Sequence, residues 1–309
     1  MAYLRSFGCR LPERVVTNEE IGARVGKTAE WIREITGIEE RRWAEDGESV
    51  ADLAVKAAQD CVNRAGVALA EIGMIVVGSG SAPRRFPGPA SSVGNALGVA
   101  GIPCVDLPMA SAGAIYGMSL ASRLADGFRN ILVIGAEKMS SVIRLGEDDP
   151  SIDILFGDGA GACLISSEAG RHRVVDSVLH SDGTASEALR LPLDGPMSMD
   201  GMVVIRHASQ KIPGAISELL DRCGRKAGEI DRFVMHQANQ NLILRVAKSL
   251  GVDGSRFYSN IGRYGNTSSA SMLIAAAEAA LADAGTVCFA GFGAGFHWGA
   301  LLAERVSQD

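Results

Sequence analysis

The sequence is poor in aromatic residues, in paired cysteines and in positive charge. Aromatic residues make up 5% of the 309 residues, so we expect an aliphatic core. The formal net charge is −6, which argues against general nucleic-acid binding. The six cysteines are scattered and form no C-x-x-C pair, so their spacing predicts neither a zinc site nor a disulfide framework.

Long hydrophobic runs are also missing. The first residues contain no continuous apolar segment of the kind found in signal peptides. The longest apolar run, 288–303, is interrupted by glycines and by His297, so it is too short and too broken to span a bilayer. This run predicts a strand, a turn and a second strand. We therefore expect a soluble, cytoplasmic protein.

The most informative pattern is an internal repeat. The string Arg64-Ala65-Gly66 has a counterpart that begins 158 residues later, at Arg222. The string Leu124-Ala125-Asp126 recurs 157 residues later, at Leu281. Several such matches in the same order indicate duplication, and their spacing is too long for a solenoid. The sequence predicts two similar halves, residues 1–170 and 171–309.

Helical and strand patterns alternate in each half, which is typical of an α/β fold with helices covering a buried sheet. The stretch 166–201 has no clear periodicity and is predicted to join the halves. The predicted strands are 74–77, 131–134, 233–235 and 287–290, and the predicted helices are 50–58, 90–97, 112–124, 212–223, 239–250 and 268–281.

Three polar residues are candidates for catalysis. His236 ends a buried strand, and reactive groups in α/β sheets gather at the carboxyl ends of strands. Ser111 lies where a helix is predicted to begin, so a nucleophile there would benefit from the helix dipole. Asn266 lies in a polar, glycine-containing segment. Each also has a structural interpretation: a satisfied core histidine, a helix N-cap, and a turn or cap.

The glycine-rich strings are less specific. The string 156–162 lacks the Lys-Ser/Thr of a phosphate-binding loop, so close packing is its simpler interpretation. In the string 292–299, backbone N–H groups could donate hydrogen bonds to an oxyanion.

Taken in order along the whole chain, these motifs resemble the β-ketoacyl-acyl-carrier-protein synthase III enzymes of the thiolase superfamily. The resemblance implies a duplicated five-layer α-β-α-β-α fold and a homodimer. The matching segments are Trp31 with 36–38, Phe86-Pro87, 106–116, 156–161, 236–239, 265–268 and 292–295.

The same resemblance implies an acyltransferase that condenses an acyl-CoA with malonyl-acyl carrier protein or malonyl-CoA, without a resident cofactor. His236 and Asn266 would bind the malonyl thioester carbonyl and stabilise the enolate formed when CO₂ leaves. Backbone N–H groups at Ser111 and Ala294 would form the oxyanion hole. The substrate-binding positions implied are Trp31, Phe86, Ala238, Asn241 and Arg245.

One departure concerns the nucleophile, because Ser111 occupies the position of the family's cysteine. A hydroxyl is far less acidic than a thiol, so a serine nucleophile would need His236 as a general base. Four interpretations stay open: an introduced Cys→Ser change that disables a condensing enzyme, a native serine acyltransferase, a serine esterase, or a non-condensing member that decarboxylates or acts as a partner subunit.

The other departures concern the substrate entrance. Two positions that usually carry arginine in the family are Ile35 and Asn241 here. Arg245 and Lys248 follow Asn241 at helical spacing, so a basic face for an acidic carrier protein could persist. A solvated helix face explains these charges equally well.

Overall fold

The computed structural model describes residues 1–144, 149–192 and 194–306. The strands are β1 (Tyr3–Arg10), β2 (Arg14–Thr17), β3 (Glu40–Trp43), β4 (Met74–Gly78), β5 (Cys104–Leu107), β6 (Asn130–Glu137), β7 (Gly159–Ser166), β8 (His172–Ser181), β9 (Leu189–Arg190), β10 (Ser198–Met199), β11 (Arg232–Met235), β12 (Thr286–Gly293) and β13 (His297–Arg305). The helices are α1 (Asn18–Val25), α2 (Ala29–Thr36), α3 (Val50–Ala65), α4 (Pro89–Ala96), α5 (Gly113–Phe128), α6 (Pro150–Asp153), α7 (Gly201–Arg222), α8 (Gln240–Ser249), α9 (Ile261–Tyr264) and α10 (Ser271–Glu278).

Nine strands form one mixed sheet in the order β11-β12-β13-β8-β1-β7-β6-β4-β5. The two halves of the chain join where β1 and β8 pair at Tyr3–Arg173 and Leu4–His172. Outward from this junction, β7, β6 and β4 of the first half correspond to β13, β12 and β11 of the second. The second half has only an isolated bridge between Phe233 and Phe257 where the first half has β5. The predicted duplicated α/β fold is confirmed, whereas the division at residues 170/171 stays a prediction.

The helices form three layers around the two half-sheets. Helices α5 and α10 lie between the half-sheets, where Ile115 and Leu273 share one core with Val133 and Phe289. Helices α3 and α4 cover the outer face of the first half-sheet, and α7 and α8 cover the outer face of the second. The result is the predicted α-β-α-β-α arrangement, whose central helix layer brings the starts of α5 and α10 together.

Local sequence signals explain helix α3 well. The Ser49 side chain accepts a hydrogen bond from the Asp52 N–H, and the Asp52 carboxylate accepts one from the Ser49 N–H. This reciprocal capping box satisfies two N–H groups that the first turn leaves unpaired. The helix ends at Gly66, which has a left-handed φ of 62° that glycine adopts without steric cost.

Three predicted boundaries differ from the structure. The stretch 166–201 contains β8, a central strand whose mostly half-buried side chains show no clean alternation. Helix α7 begins at Gly201, capped by Asp200, eleven residues before its predicted start. The predicted helix 268–281 is shorter because Ser268 and Ala280 have left-handed φ values of 46° and 48°, which interrupt α-helical geometry on both sides of α10.

No helix in the described ranges is long and apolar enough to cross a membrane.

Candidate active site

Ser111, His236 and Asn266 line one cavity of about 100 Å³, together with Ala238. Ser111 lies between β5 and α5, His236 directly follows β11, and Asn266 follows α9. The structure therefore brings together the three candidate catalytic residues and one predicted substrate-binding residue. None of the six cysteines lines this cavity, and much of its wall is apolar: Leu155, Phe156, Leu189, Met199, Val204 and Phe292.

The turn that carries Ser111 is held in an unusual conformation. Ser111 has a left-handed φ of 64°, which costs free energy for any residue with a Cβ. Gly293, from the other half of the chain, packs directly against this turn, because a Cβ there would collide with the backbone of Ala110 and Ala112. This close packing fixes the position of Ser111. Helix α5 begins at Gly113 with Ala112 as its cap residue, so the N-cap interpretation of Ser111 is wrong. The start of α5 still lies beside Ser111, where its dipole favours negative charge.

Ser111 contacts its own counterpart in the repeat. Ser268 follows it by 157 residues and also has a left-handed φ. The Ser111 N–H donates to Ser268 Oγ at 2.9 Å, and the two Oγ atoms lie 3.4 Å apart. The Ser111 N–H, which is expected in the oxyanion hole, therefore already donates a hydrogen bond to Ser268 Oγ in this structure. No hydrogen bond joins Ser111 to His236 in the described part of the chain, so the expected general base is not hydrogen-bonded to the hydroxyl.

His236 is buried, and one of its two ring nitrogens is hydrogen-bonded within the protein. Its Nδ1 atom lies 2.6 Å from Ser271 Oγ, which also accepts a hydrogen bond from the Gln237 N–H at 3.1 Å. The other ring nitrogen, Nε2, is the one available to a molecule in the cavity. Burial lowers the pKa of His236 from 6.5 to about 4, because a buried charged imidazole loses its hydration. His236 is therefore neutral at physiological pH.

Asn266 is oriented by the backbone around it. Its Oδ1 atom accepts a hydrogen bond from the Ser268 N–H at 2.9 Å. Its own N–H donates to Leu155 O at 2.9 Å, and its carbonyl accepts from the Gly157 N–H at 3.1 Å. These contacts place Asn266 in a turn, whereas the cap interpretation is wrong because Gly265 and Thr267 are the cap residues on its two sides. They leave Nδ2 as a donor for a substrate oxygen. The cavity thus offers two side-chain donors, from His236 and Asn266, without a formal charge.

A buried carboxylate joins the turns around the cavity. Glu137 is fully buried and accepts hydrogen bonds from the Gly80 and Ser81 N–H groups in one half and from the Ser269 N–H in the other. The Ser269 hydroxyl in turn donates to Met109 O, just before the Ser111 turn. Hydrogen bonds to charged groups contribute about 1.5–3 kcal/mol each, so this cluster strongly fixes the relative positions of the two turns.

Trp31 and Asn241, both predicted to bind substrate, do not line the cavity. Trp31 lies on α2 with Lys27 Nζ 4.9 Å from its ring centroid. Asn241 Nδ2 donates to the carbonyls of Glu34 and Ile35 at 3.3 and 3.2 Å. Asn241 therefore connects α8 to the end of α2, and its role in substrate binding stays a prediction.

Three more predicted positions also lie outside the cavity wall. Phe86 is 84% exposed. Arg245 is exposed on α8, as is Lys248 one turn on, so the basic face exists as a surface feature. Ala294 itself does not line the cavity, although its neighbour Gly293 does. Their roles in binding stay predictions.

Sequence reasoning missed three residues that hold the site together. Ser268 could have been found, because the offset of 157 that matches Leu124 to Leu281 also leads from Ser111 to Ser268. Ser271 and Glu137 carry no comparable signal. Their importance depends on which side chains the fold places beside them.

Comparison with known proteins identifies the same family along most of the chain. Residues 105–183 match the family model described as 3-oxoacyl-[acyl-carrier-protein] synthase III, and residues 220–305 match the model of its C-terminal part. The β-ketoacyl-[acyl-carrier-protein] synthase III of Staphylococcus haemolyticus is 32% identical over 308 residues, covering 97% of this chain and 98% of the relative.

Solved structures agree over nearly the whole length. The 3-oxoacyl-[acyl-carrier-protein] synthase III of Aquifex aeolicus superimposes with a TM-score of 0.94 at 30% identity, covering 99% of this chain and 100% of that one. The priming β-ketosynthase of the R1128 polyketide biosynthetic pathway gives a TM-score of 0.90 at 30% identity, covering 99% and 96%.

Proposed function

The chain belongs to the 3-oxoacyl-[acyl-carrier-protein] synthase III family of acyl-transferring condensing enzymes, and we propose that it condenses a short acyl-CoA with a malonyl thioester. The observation that carries this proposal is the meeting of His236, Asn266 and Ser111 at one apolar cavity. The malonyl group would be carried by an acyl carrier protein or by CoA. The two substrates and Ser111 supply all the reacting groups, so the proposed reaction requires no resident cofactor.

The reaction divides into acylation, decarboxylation and condensation. In acylation, Ser111 Oγ bonds to the acyl carbonyl, the C–S bond of the acyl-CoA breaks, and the hydroxyl proton goes to the departing thiolate. In decarboxylation, the C–C bond to the malonyl carboxylate breaks, CO₂ leaves, and the electron pair forms an enolate whose oxygen accepts from His236 and Asn266. The enolate carbon then attacks the Ser111 ester and releases Ser111, which takes up a proton.

The cavity size supports a short acyl group. Its volume of about 100 Å³ is smaller than the roughly 150 Å³ of a cavity that accepts benzene. Its apolar wall suits a hydrocarbon chain of a few carbons. The acyl group would lie against Phe156 and Phe292 while its carbonyl stays near Ser111.

The proposal is tested by incubating the unchanged protein with acetyl-CoA and malonyl-acyl carrier protein. We expect a four-carbon β-ketoacyl product on the carrier protein, detected by intact mass, and one CO₂ for each product. Octanoyl-CoA should give far less product, because the cavity volume of about 100 Å³ favours a short chain. CO₂ release without C–C bond formation would instead indicate a decarboxylase, an alternative favoured by the missing contact between Ser111 and a base. Neither CO₂ nor product would indicate a silent partner subunit.

We also propose that two copies associate through the edge strand β5. This edge of the nine-stranded sheet has no neighbour among the described strands, and Val105 on it is 37% exposed. Phe86 is the most exposed aromatic side chain of the described residues, so a partner that covers it would remove apolar surface from water. Light scattering should therefore give twice the chain mass of 32.3 kDa, and a mass of one chain would contradict the proposal.

A further inference from the structure

The hydroxyl of Ser271 is the partner of His236 on the side away from the cavity. Ser271 is the first residue of α10, and both side chains are almost fully buried, at 2% and 4% exposure. The Nδ1–Oγ distance of 2.6 Å is short for a hydrogen bond between neutral groups. Either atom could be the donor, so the direction of this bond decides which ring nitrogen carries the proton.

The surroundings of Ser271 decide the direction. The Gln237 N–H already donates to Ser271 Oγ, so the oxygen is satisfied as an acceptor. Apart from His236 Nδ1, no acceptor for the Ser271 hydroxyl proton occurs among the described residues. If Nδ1 carried the proton, the Ser271 hydroxyl would be a buried donor without a partner, which costs about 1–3 kcal/mol. Donation from Ser271 to Nδ1 gives the hydroxyl its partner and places the histidine proton on Nε2, the ring nitrogen that is available to a molecule in the cavity.

We propose that Ser271 is a positioning residue that keeps His236 in the tautomer with its proton on Nε2. In this tautomer His236 is a hydrogen-bond donor toward the cavity, as an enolate oxygen requires. The same tautomer has no lone pair on Nε2, so His236 does not act as the base that would activate Ser111. The catalytic importance of the Ser271–His236 hydrogen bond rests on the proposed decarboxylation. The tautomer of His236 can be measured whether or not the protein decarboxylates a malonyl thioester.

Two further features of the site agree with this assignment. Among the described residues, no hydrogen bond joins His236 to Ser111, in agreement with a histidine that donates toward the cavity. Burial also keeps the imidazole neutral, so the proton position is set by the Nδ1 partner and not by titration. The described residues place no charged group in contact with His236, and its pKa is lowered by burial alone.

The test combines nitrogen NMR with kinetics on full-length protein containing ¹⁵N-labelled histidine. The chain has five histidines, and the His236 signals are assigned by their loss in His236→Ala. We expect the unchanged protein to show a protonated Nε2 and an unprotonated Nδ1. We expect Ser271→Ala to populate the other tautomer and to lower kcat for CO₂ release from malonyl-CoA by roughly tenfold or more, with KM little changed.

Two variants serve as controls. Ser271→Thr keeps a hydroxyl at the same place and should retain both the tautomer and most of the activity. Ser255→Ala alters an exposed serine that does not line the cavity. A protonated Nδ1 in the unchanged protein would overturn the assignment, as would unchanged tautomer and kcat in Ser271→Ala. If Ser271→Ala does not fold, the tautomer measured in the unchanged protein still tests the assignment, since a protonated Nδ1 there would overturn it. A protein that releases no CO₂ contradicts the proposed function but leaves the tautomer measurable.

Discussion

Replacing His236 by alanine should lower the rate of CO₂ release from malonyl-CoA by about a hundredfold to a thousandfold, the range seen when one donor to a developing oxyanion is removed. The enolate would keep only the Asn266 amide as a side-chain donor. The measurement is CO₂ release at saturating malonyl-CoA. The matched control is His180→Ala, because His180 lies outside the cavity and contacts Glu218 and Trp298 instead. Full activity in His236→Ala would contradict the site assignment.

The pH dependence gives an independent check on His236. Its folded-state pKa of about 4 lies below its ordinary value, so the imidazole stays neutral as the pH falls from 8 toward 5. We expect kcat for decarboxylation to be flat over that range and to fall only near pH 4. The unfolded state binds more protons than the folded state between pH 6.5 and 4, so this histidine also lowers stability as the pH falls through that window. Circular dichroism separates the two effects, and a loss of activity near pH 6.5 in folded protein would contradict this account.

Replacing Ser111 by cysteine should increase acyl loading by at least about a hundredfold. A thiol has a reference pKa of about 8.5 and is a few per cent thiolate at neutral pH, whereas a serine hydroxyl is not ionised without a base. The start of α5 beside position 111 should lower the thiol pKa further. Among the described residues, the Ser111 hydroxyl has a hydrogen-bond contact with Ser268 and none with a base. Intact mass after incubation with acetyl-CoA measures the loading.

The condensation rate should rise with the loading, because a thioester is a better acyl donor to a carbanion than an oxygen ester. Ser111→Ala is the control, and it should load no acyl group but still release CO₂. Equal loading by the unchanged protein and by the Ser111→Cys variant would show that the serine is activated by a group not in contact with it in this structure. That outcome would favour a native serine acyltransferase or esterase.

Much of the fold follows from short-range sequence patterns. Ser49, Asp52 and Gly66 define helix α3 through capping, and the apolar run 74–77 is a strand because it is covered on both faces. The repeat offset predicts the duplication because insertions are few between its matching strings. Strand β8 was missed because it has no polar–apolar alternation, so only its neighbours β13 and β1 identify it as a strand.

Part of the candidate site is also predictable from short-range sequence patterns. His236 follows a recognisable strand, and Ser111 lies beside the start of a recognisable helix. The partners that orient them are not predictable from local sequence, because Ser268, Ser271 and Glu137 act through contacts between distant segments. The helix position of Asn241 is also predicted correctly, but the contact of its amide with α2 joins distant segments and has no local signal.

The contact between Ser111 and Ser268 bears on how the chain arose by duplication. An ancestor of half the length, paired with its own copy, would have brought the same residue of both copies into contact on a two-fold axis. Such a pair would have carried two equivalent sites. After fusion the positions could diverge: the residue after β11 is His236, whereas the residue after β4 is Ser79, whose hydroxyl binds Glu137. In the present chain, the cavity takes Ser111 from one half and His236 and Asn266 from the other, so it has no two-fold symmetry of its own.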